Sequence, residues 1–362
     1  MQKAIAQNPV NCIGYLRWFR AISFAIVVML GNLAPSQALA EPRIPDGICI
    51  DGEVGDCNHV TRKFNPGHYL LVFLGSGSEA LRPAINDPGF RGVQKRWTWR
   101  ELEPKRGQYN FQGIERDLEL LRQYDKQLVI QVVDTKFTCE GDPFLPQYML
   151  DDAEFNGGVV KPATGKCKWL PQRWLPSYVD RHDALMSALG SRFDRRPNVE
   201  AVVGTETALS LTCNELTSLG YTPEKYFSSL QQMMRSNLEA FPTTNVIIYQ
   251  NFFPCKTANL ARLIEYAGSI GHGMGGPDHW LYNKTLTEIV YPKQAEHKGR
   301  VVLGTAVQYG NYTQKHPDGR RVTAFDIAKF GVDEIDRDYM FWLYSPKFND
   351  EVLTAVNAYP IK

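Results

Sequence analysis

From Tyr69 onward the chain alternates short apolar runs with stretches that read, or can read, as helices, and it does so eight times. The runs cover 69–74, 92–97, 127–133, 199–203, 245–250, 269–276, 300–307 and 338–344. A strand separated from the next by a helix has no tight turn available, so neighbouring strands must pair in parallel. Eight such units over about 290 residues predict an α/β fold, the (β/α)8 or TIM barrel. An open doubly wound sheet would want a nucleotide fingerprint after an early strand, and the chain has none. Gly75-Ser76-Gly77-Ser78 lacks the Lys-Ser/Thr ending of a phosphate-cradling loop and reads as a plain strand-to-helix turn.

The helices carry their own signals. Ile114, Leu118 and Leu121 share one apolar face, with Glu115, Arg116 and Asp117 expected outside. Thr222-Pro223 is a cap followed by proline at the first helical position, and Pro242 stops that helix. Further helices are expected around 179–193, 259–267, 286–297, 324–336 and 351–357, with Pro292 a candidate break. Between Asp134 and about Trp174 no periodicity is visible, and a loop that long inside a domain is usually functional.

Residues 1–40 read as a secretory signal peptide. Lys3, Arg17 and Arg20 precede the apolar run 21–30, and Ala38-Leu39-Ala40 places small residues before Glu41. The alternative, an uncleaved anchor, is disfavoured because the run is short for a spanning helix of ~20 residues. The expectation is therefore a secreted or periplasmic protein with no membrane span after processing. Residues 41–68 would form a stapled N-terminal extension, and 69–362 the barrel. Past the signal six cysteines remain, and an even count in an exported chain suggests disulfides. Spacing favours Cys49–Cys57 and Cys139–Cys167, leaving Cys213–Cys255. No C-x-x-C or H-E-x-x-H occurs, so no metal or other cofactor is expected, and a net charge of +1 gives no reason to expect nucleic acid.

In such a barrel function sits on the loops after the strands. Val199 to Val203 is a buried strand, Gly204 permits close backbone approach, and Glu206 follows where the strand runs out. That position is poor for stability and usual for catalysis. The other strand ends supply Arg96, Trp97, Trp99, Asp134, Lys136, Asn251, Asp278, Trp280, Gln308, Tyr309 and Trp342. Aromatics that cover sugar rings, with amides and carboxylates that bind hydroxyls, suit a poly- or oligosaccharide partner.

Arg96-Trp97-Thr98-Trp99 with Leu102-Glu103-Pro104, then Gly107-x-Tyr109-x-Phe111, resembles the second barrel unit of cellulase-like and β-galactosidase-like glycoside hydrolases. Gly204-Thr205-Glu206-Thr207 falls where that superfamily keeps its acid/base glutamate. The resemblance covers most of residues 69–344 and implies glycosidic hydrolysis through two carboxyl groups. One departure stands out, since Gln308 occupies the place after the seventh strand where the superfamily carries a nucleophilic glutamate. An amide cannot form the glycosyl ester. Asp278, fixed by Gly275-Gly276-Pro277, is the replacement candidate, as nucleophile or base; it could equally be a turn aspartate capping the next segment. Asp134 is a second candidate, alternatively a partner for Lys136 or Arg96. Glu103 reads as a structural or arginine-paired acid, His272 as a core histidine, and Trp97, Trp99 and Trp342 as subsite walls or core. The rivals to an exported glycosidase are a catalytically silent barrel that binds polysaccharide and a structural protein of the cell envelope.

Overall fold

The computed structural model describes residues 62–362. The expected signal peptide, most of the extension and the Cys49–Cys57 pair lie outside the described residues. Eight strands close into a parallel barrel: Gly67–Leu71, Phe90–Thr98, Gln127–Val133, Val199–Glu206, Asn245–Tyr249, Gly273–Gly276, Leu303–Val307 and Tyr339–Leu343. Each pairs in parallel with its sequence neighbour among the eight, and the first pairs with the last through Gly67↔Tyr339 to Leu71↔Leu343. Among the described residues no helix is long and apolar enough to cross a membrane.

The barrel interior is packed rather than hollow, with Leu71, Val129, Ala201, Val203, Ile247, Ala306 and Phe341 all buried. Its lower end is sealed by polar groups. The Glu200 carboxylate accepts hydrogen bonds from the Asn65 backbone and side chain, both at 2.8 Å, and from the Tyr339 hydroxyl. Two glycines of the sixth strand let its neighbours close in. A Cβ on Gly273 would lie 2.5 Å from the Val246 carbonyl oxygen, and one on Gly275 the same distance from that of Gly304.

Several elements differ from expectation. The first strand starts at Gly67 and ends at Leu71, so Phe73 and Leu74 belong to the loop beyond it. The sixth strand is only four residues, and His272 precedes it, buried, with Nδ1 2.8 Å from the Gly273 carbonyl. Pro292 does not break its helix. A π-helical turn at Leu286–Val290 runs into the α-helix Tyr291–Ala295, and Pro292 occupies that segment's first turn. The Thr222 cap forms as expected, accepting from the Lys225 N–H at the head of the helix Pro223–Ala240.

Asp117 is a correction. In the helix Gln112–Arg122 it is buried rather than outside, 2.5 Å from Lys95 Nζ and bonded to Ser78. Lys95 is itself buried between the second strand and its helix, and a buried ammonium requires a carboxylate partner.

The long segment after the third strand has little regular structure. It holds a helix Gln147–Asp151 and a small antiparallel pair, Val159–Val160 with Leu170–Pro171. Cys139–Cys167 staples it, and Cys213–Cys255 ties the helix Cys213–Ser218 to the loop after the fifth strand.

Candidate active site

At the C-terminal end of the strands lies a cleft of about 610 Å3. Its floor includes Arg96, Gln131 and Tyr249 from strands, the last two bonded to the fully buried Gln94, which does not itself line the cleft. Gln94 donates to Gln131 Oε1 at 2.8 Å and to the Tyr249 hydroxyl at 3.0 Å, and Arg96 Nε donates to the same Gln131 oxygen at 3.0 Å. The rest of the Arg96 guanidinium faces the cleft. Burial lowers its pKa, and the nearby Tyr249, Glu206 and Asp278 oppose that shift.

Glu206 is the last residue of the fourth strand and lines the cleft with Asp278. Its Oε2 accepts from Asn251 Nδ2 at 2.9 Å, and Asn251 is held in turn by Thr207 and the Ala208 N–H. Burial pushes the Glu206 carboxyl up to about 6. The Arg173 charge and the Asn251 hydrogen bond oppose the rise, while the negative charges of Asp278 and Asp134 add to it. Asp278 is also raised, by burial, with the Trp280 side chain and the Arg96 charge pulling the other way. The cleft thus holds two carboxyls with elevated proton affinity beside the Arg96 guanidinium, and a second guanidinium, Arg173, also lines it.

Asp134 plays a different part. Arg173 Nε and Nη2 bind its two oxygens at 2.8 and 2.7 Å, and the Tyr178 hydroxyl donates at 2.5 Å. Burial raises its pKa, but Arg173 and the hydrogen bonds from Tyr178 and Thr135 outweigh burial and leave it below the ordinary value. The partner is Arg173, not the expected Lys136 or Arg96. The same arginine donates to the Glu206 backbone carbonyl at 2.8 Å, so it fixes the end of the fourth strand.

Of the two readings of the three tryptophans, subsite wall or core, the structure supports core and corrects their assignment to substrate binding. Trp97, Trp99 and Trp342 are buried away from the cleft. Trp97 packs against Gly113 of the following helix and under Lys95; Trp99 donates to Glu103, which also pairs with Arg181; Trp342 donates to His68. Trp97 and Trp342 face outward from the barrel into the helical layer, while Trp99 opens the short helix Trp99–Leu102 and packs on Tyr178, so none of the three lines the cleft. The exposed aromatics that do line it are Phe73 and Phe137, on the first and third loops. Trp280 lies half-buried beside Asp278, against Gly310, and Tyr309 is exposed against Phe348, neither in the cleft wall. Lys136 lines the cleft, with its ammonium bonded to the Glu140 and Asp142 carbonyls. Gln308 lines it as well, so the amide stands where the resemblance called for an acid.

Sequence reasoning missed Arg173, Tyr249, Gln131 and the two phenylalanines. Gln94 and Gln131 did carry a signal, being polar residues in the middle of buried strands. Arg173 carried none, because it sits in an aperiodic segment. Among the described residues no group of three or more His, Cys, Asp or Glu could hold a metal ion.

No protein-family model matches this chain, and no curated protein matches it. Solved structures do resemble it in fold. The catalytic domain of a β-amylase from Paenibacillus polymyxa aligns with a TM-score of 0.58 at 7% identity, over 80% of this chain and 98% of that one. A β-galactosidase from the psychrophilic Marinomonas ef1 aligns at 0.53 and 9% identity, over 80% of this chain and 59% of that one. A GH5_18 variant from Streptomyces cattleya, in complex with Manb1-4GlcNAc, aligns at 0.50 and 13% identity, over 81% and 80%. At these identities the likeness is one of fold: the chain has the (β/α)8 architecture seen in those glycoside hydrolases.

Proposed function

We propose that this protein is a glycoside hydrolase acting on a poly- or oligosaccharide, with Glu206 as general acid/base. The observation that carries the reading is the Glu206 carboxyl itself, at the end of the fourth strand with its pKa pushed up to about 6. It is aimed by Asn251 and opens on a cleft that also holds Asp278 and Arg96. A carboxyl that keeps its proton near neutral pH can protonate a departing glycosidic oxygen. As the C–O bond breaks, Asp278 would either attack the anomeric carbon or take a proton from the water that does. A carboxyl separation of about 5–5.5 Å corresponds to the first course and about 6.5–9.5 Å to the second. Arg96 would hold Asp278 ionised for that role. We further propose export, with residues 1–40 removed, from the charge, apolar core and Ala38-Leu39-Ala40 pattern.

A second reading is favoured by one observation. Gln308 lines the cleft where an acid would complete the expected pair, which suits a barrel that binds glycans without cutting them. The two readings part in a single experiment, a glycan panel followed by NMR of the product anomer, run beside Glu206→Gln. Cleavage abolished by the substitution supports the enzyme. Binding without cleavage of any glycan supports the silent barrel, and cleavage at a normal rate by the variant removes Glu206 from the role.

A further inference from the structure

The segment 134–174 is unevenly charged, and the unevenness has a direction. Its acids are mostly taken up elsewhere. Asp142 pairs with Arg100, Asp152 and Glu154 pair with Arg106, and Asp151 accepts from Gln147. Only Glu140 is left exposed without such a partner among the described residues. From 155 to 179 there is no acid at all, whereas Lys161, Lys166 and Lys168 fall there. None of the three has a carboxylate partner among the described residues. The Glu215 carboxylate approaches this segment but accepts from the Ala163 N–H and its own Thr212 cap.

Two of them, Lys168 and Lys161, rest on aromatic faces next to the cleft wall. Lys168 lies 5.4 Å from the centroid of Phe137, which lines the cleft, and donates to Ser210 on the loop after Glu206. Lys161 sits 4.0 Å over Trp169, whose backbone pairs in both directions with that of Lys136 in the cleft wall. Cys139–Cys167 holds the two arms of the segment together. A cation resting on an aromatic face keeps its charge while losing conformational freedom, so it meets an anion at lower entropic cost.

We propose that this stapled segment is a binding strip for a polyanionic glycan, a chain bearing carboxylate groups as in uronic acids, which continues from the cleft across Phe137 towards Lys168 and Lys161. The inference rests on the reading of the cleft as a glycan site and names the substrate class it takes. Lysines spaced along the strip would meet successive carboxylates, and the aromatic rings would cover the sugar faces between them.

The test measures binding, so it does not depend on turnover. Full-length Glu206→Gln protein is titrated calorimetrically with hexagalacturonate, with neutral cellohexaose and with a hexathymidylate. The expected result is hexagalacturonate binding about tenfold or more tighter than cellohexaose at low ionic strength, weakening as salt is added. Adding K161E and K168E together should remove that preference, while K161R with K168R should keep it. Equal binding of the neutral and acidic hexasaccharides, no binding of either, or indifference to the double charge reversal would overturn the proposal. Hexathymidylate binding as tightly as hexagalacturonate would also overturn it, by showing a general anion surface. Anionic preference with no cleavage by the unsubstituted protein leaves this inference standing and removes the hydrolase reading; cleavage of neutral glycans without the preference does the reverse.

Discussion

Asp134 and Glu206 end neighbouring strands of one barrel, yet their carboxyl pKa values are shifted in opposite directions. Both lie deep at the C-terminal rim. Asp134 receives a two-pronged guanidinium and a tyrosine hydroxyl, and its pKa falls below the ordinary value. Glu206 receives one amide N–H and faces two negative charges, and its pKa rises to about 6. Arg173 touches both residues, but it meets Glu206 only at the backbone carbonyl. One acid is neutralised to build the rim; its neighbour is left unneutralised on that rim. Burial alone does not raise a carboxyl's pKa here; the two acids differ in whether a cation sits on the side-chain oxygens.

The sharpest break of this contrast is the loss of each carboxyl in turn. Glu206→Gln should lower turnover by about 10²–10⁴-fold with the fold intact, read by steady-state kinetics beside circular dichroism. Asp134→Asn should act on the fold instead. It strips the buried Arg173 of its counter-charge, which costs roughly 3–5 kcal/mol, read as a lower midpoint in denaturant.

Stability against pH separates the pair further. The folded Glu206 pKa of about 6 lies above the ordinary 4.5, so the folded chain binds the extra proton between those values. Its contribution to stability is complete below about 4.5 and is lost as pH rises through about 6, an effect of roughly 2 kcal/mol at most. Glu206→Gln should therefore be more stable than the parent at pH 7 and lose that advantage near pH 4. Asp134 has the reverse sign, since its depressed pKa contributes stability above its ordinary value of 3.8 that is lost as pH falls through the folded value. A parent and a Glu206→Gln variant with identical pH–stability curves would contradict the raised pKa.

Smaller effects report on what surrounds Glu206. Replacing Asn251 by Ala removes a hydrogen bond to the ionised form, so the Glu206 pKa should rise above about 6 and carry the basic limb of the pH–rate profile with it. Replacing Asp278 by Asn removes a negative neighbour, so the Glu206 pKa should fall, a shift read by carboxyl carbon NMR because turnover would be lost.

The fold was legible because it is periodic. Eight apolar runs, each followed by room for a helix, leave a closed parallel barrel as the consistent solution, and the third strand appeared at Gln127–Val133 as read. The positions of Glu206 and Asp278 on the rim were legible for the same reason. What escaped was direction. Trp97 and Trp342 lie near strand ends, but a strand turns alternate side chains inward and outward, and these two turn outward to the helices; Trp99 is already the first residue of the helix Trp99–Leu102. Asp117 looked solvent-facing because helical periodicity locates a face without saying that a buried lysine waits beneath it. Arg173 lay beyond reach, since its contact with Asp134 joins two places that no local pattern connects.

The seam between the strands Gly67–Leu71 and Tyr339–Leu343 has a consequence for biogenesis. These partners stand at nearly opposite ends of the described chain, and pairs so distant in sequence form late and slowly. Until the last strand docks, the growing sheet has two unpaired edges, one of them the strand Gly67–Leu71, open to pairing with other chains. A chain cut short before Tyr339 would therefore aggregate instead of folding into a smaller barrel, and the C-terminal strand acts as the latch of the whole assembly.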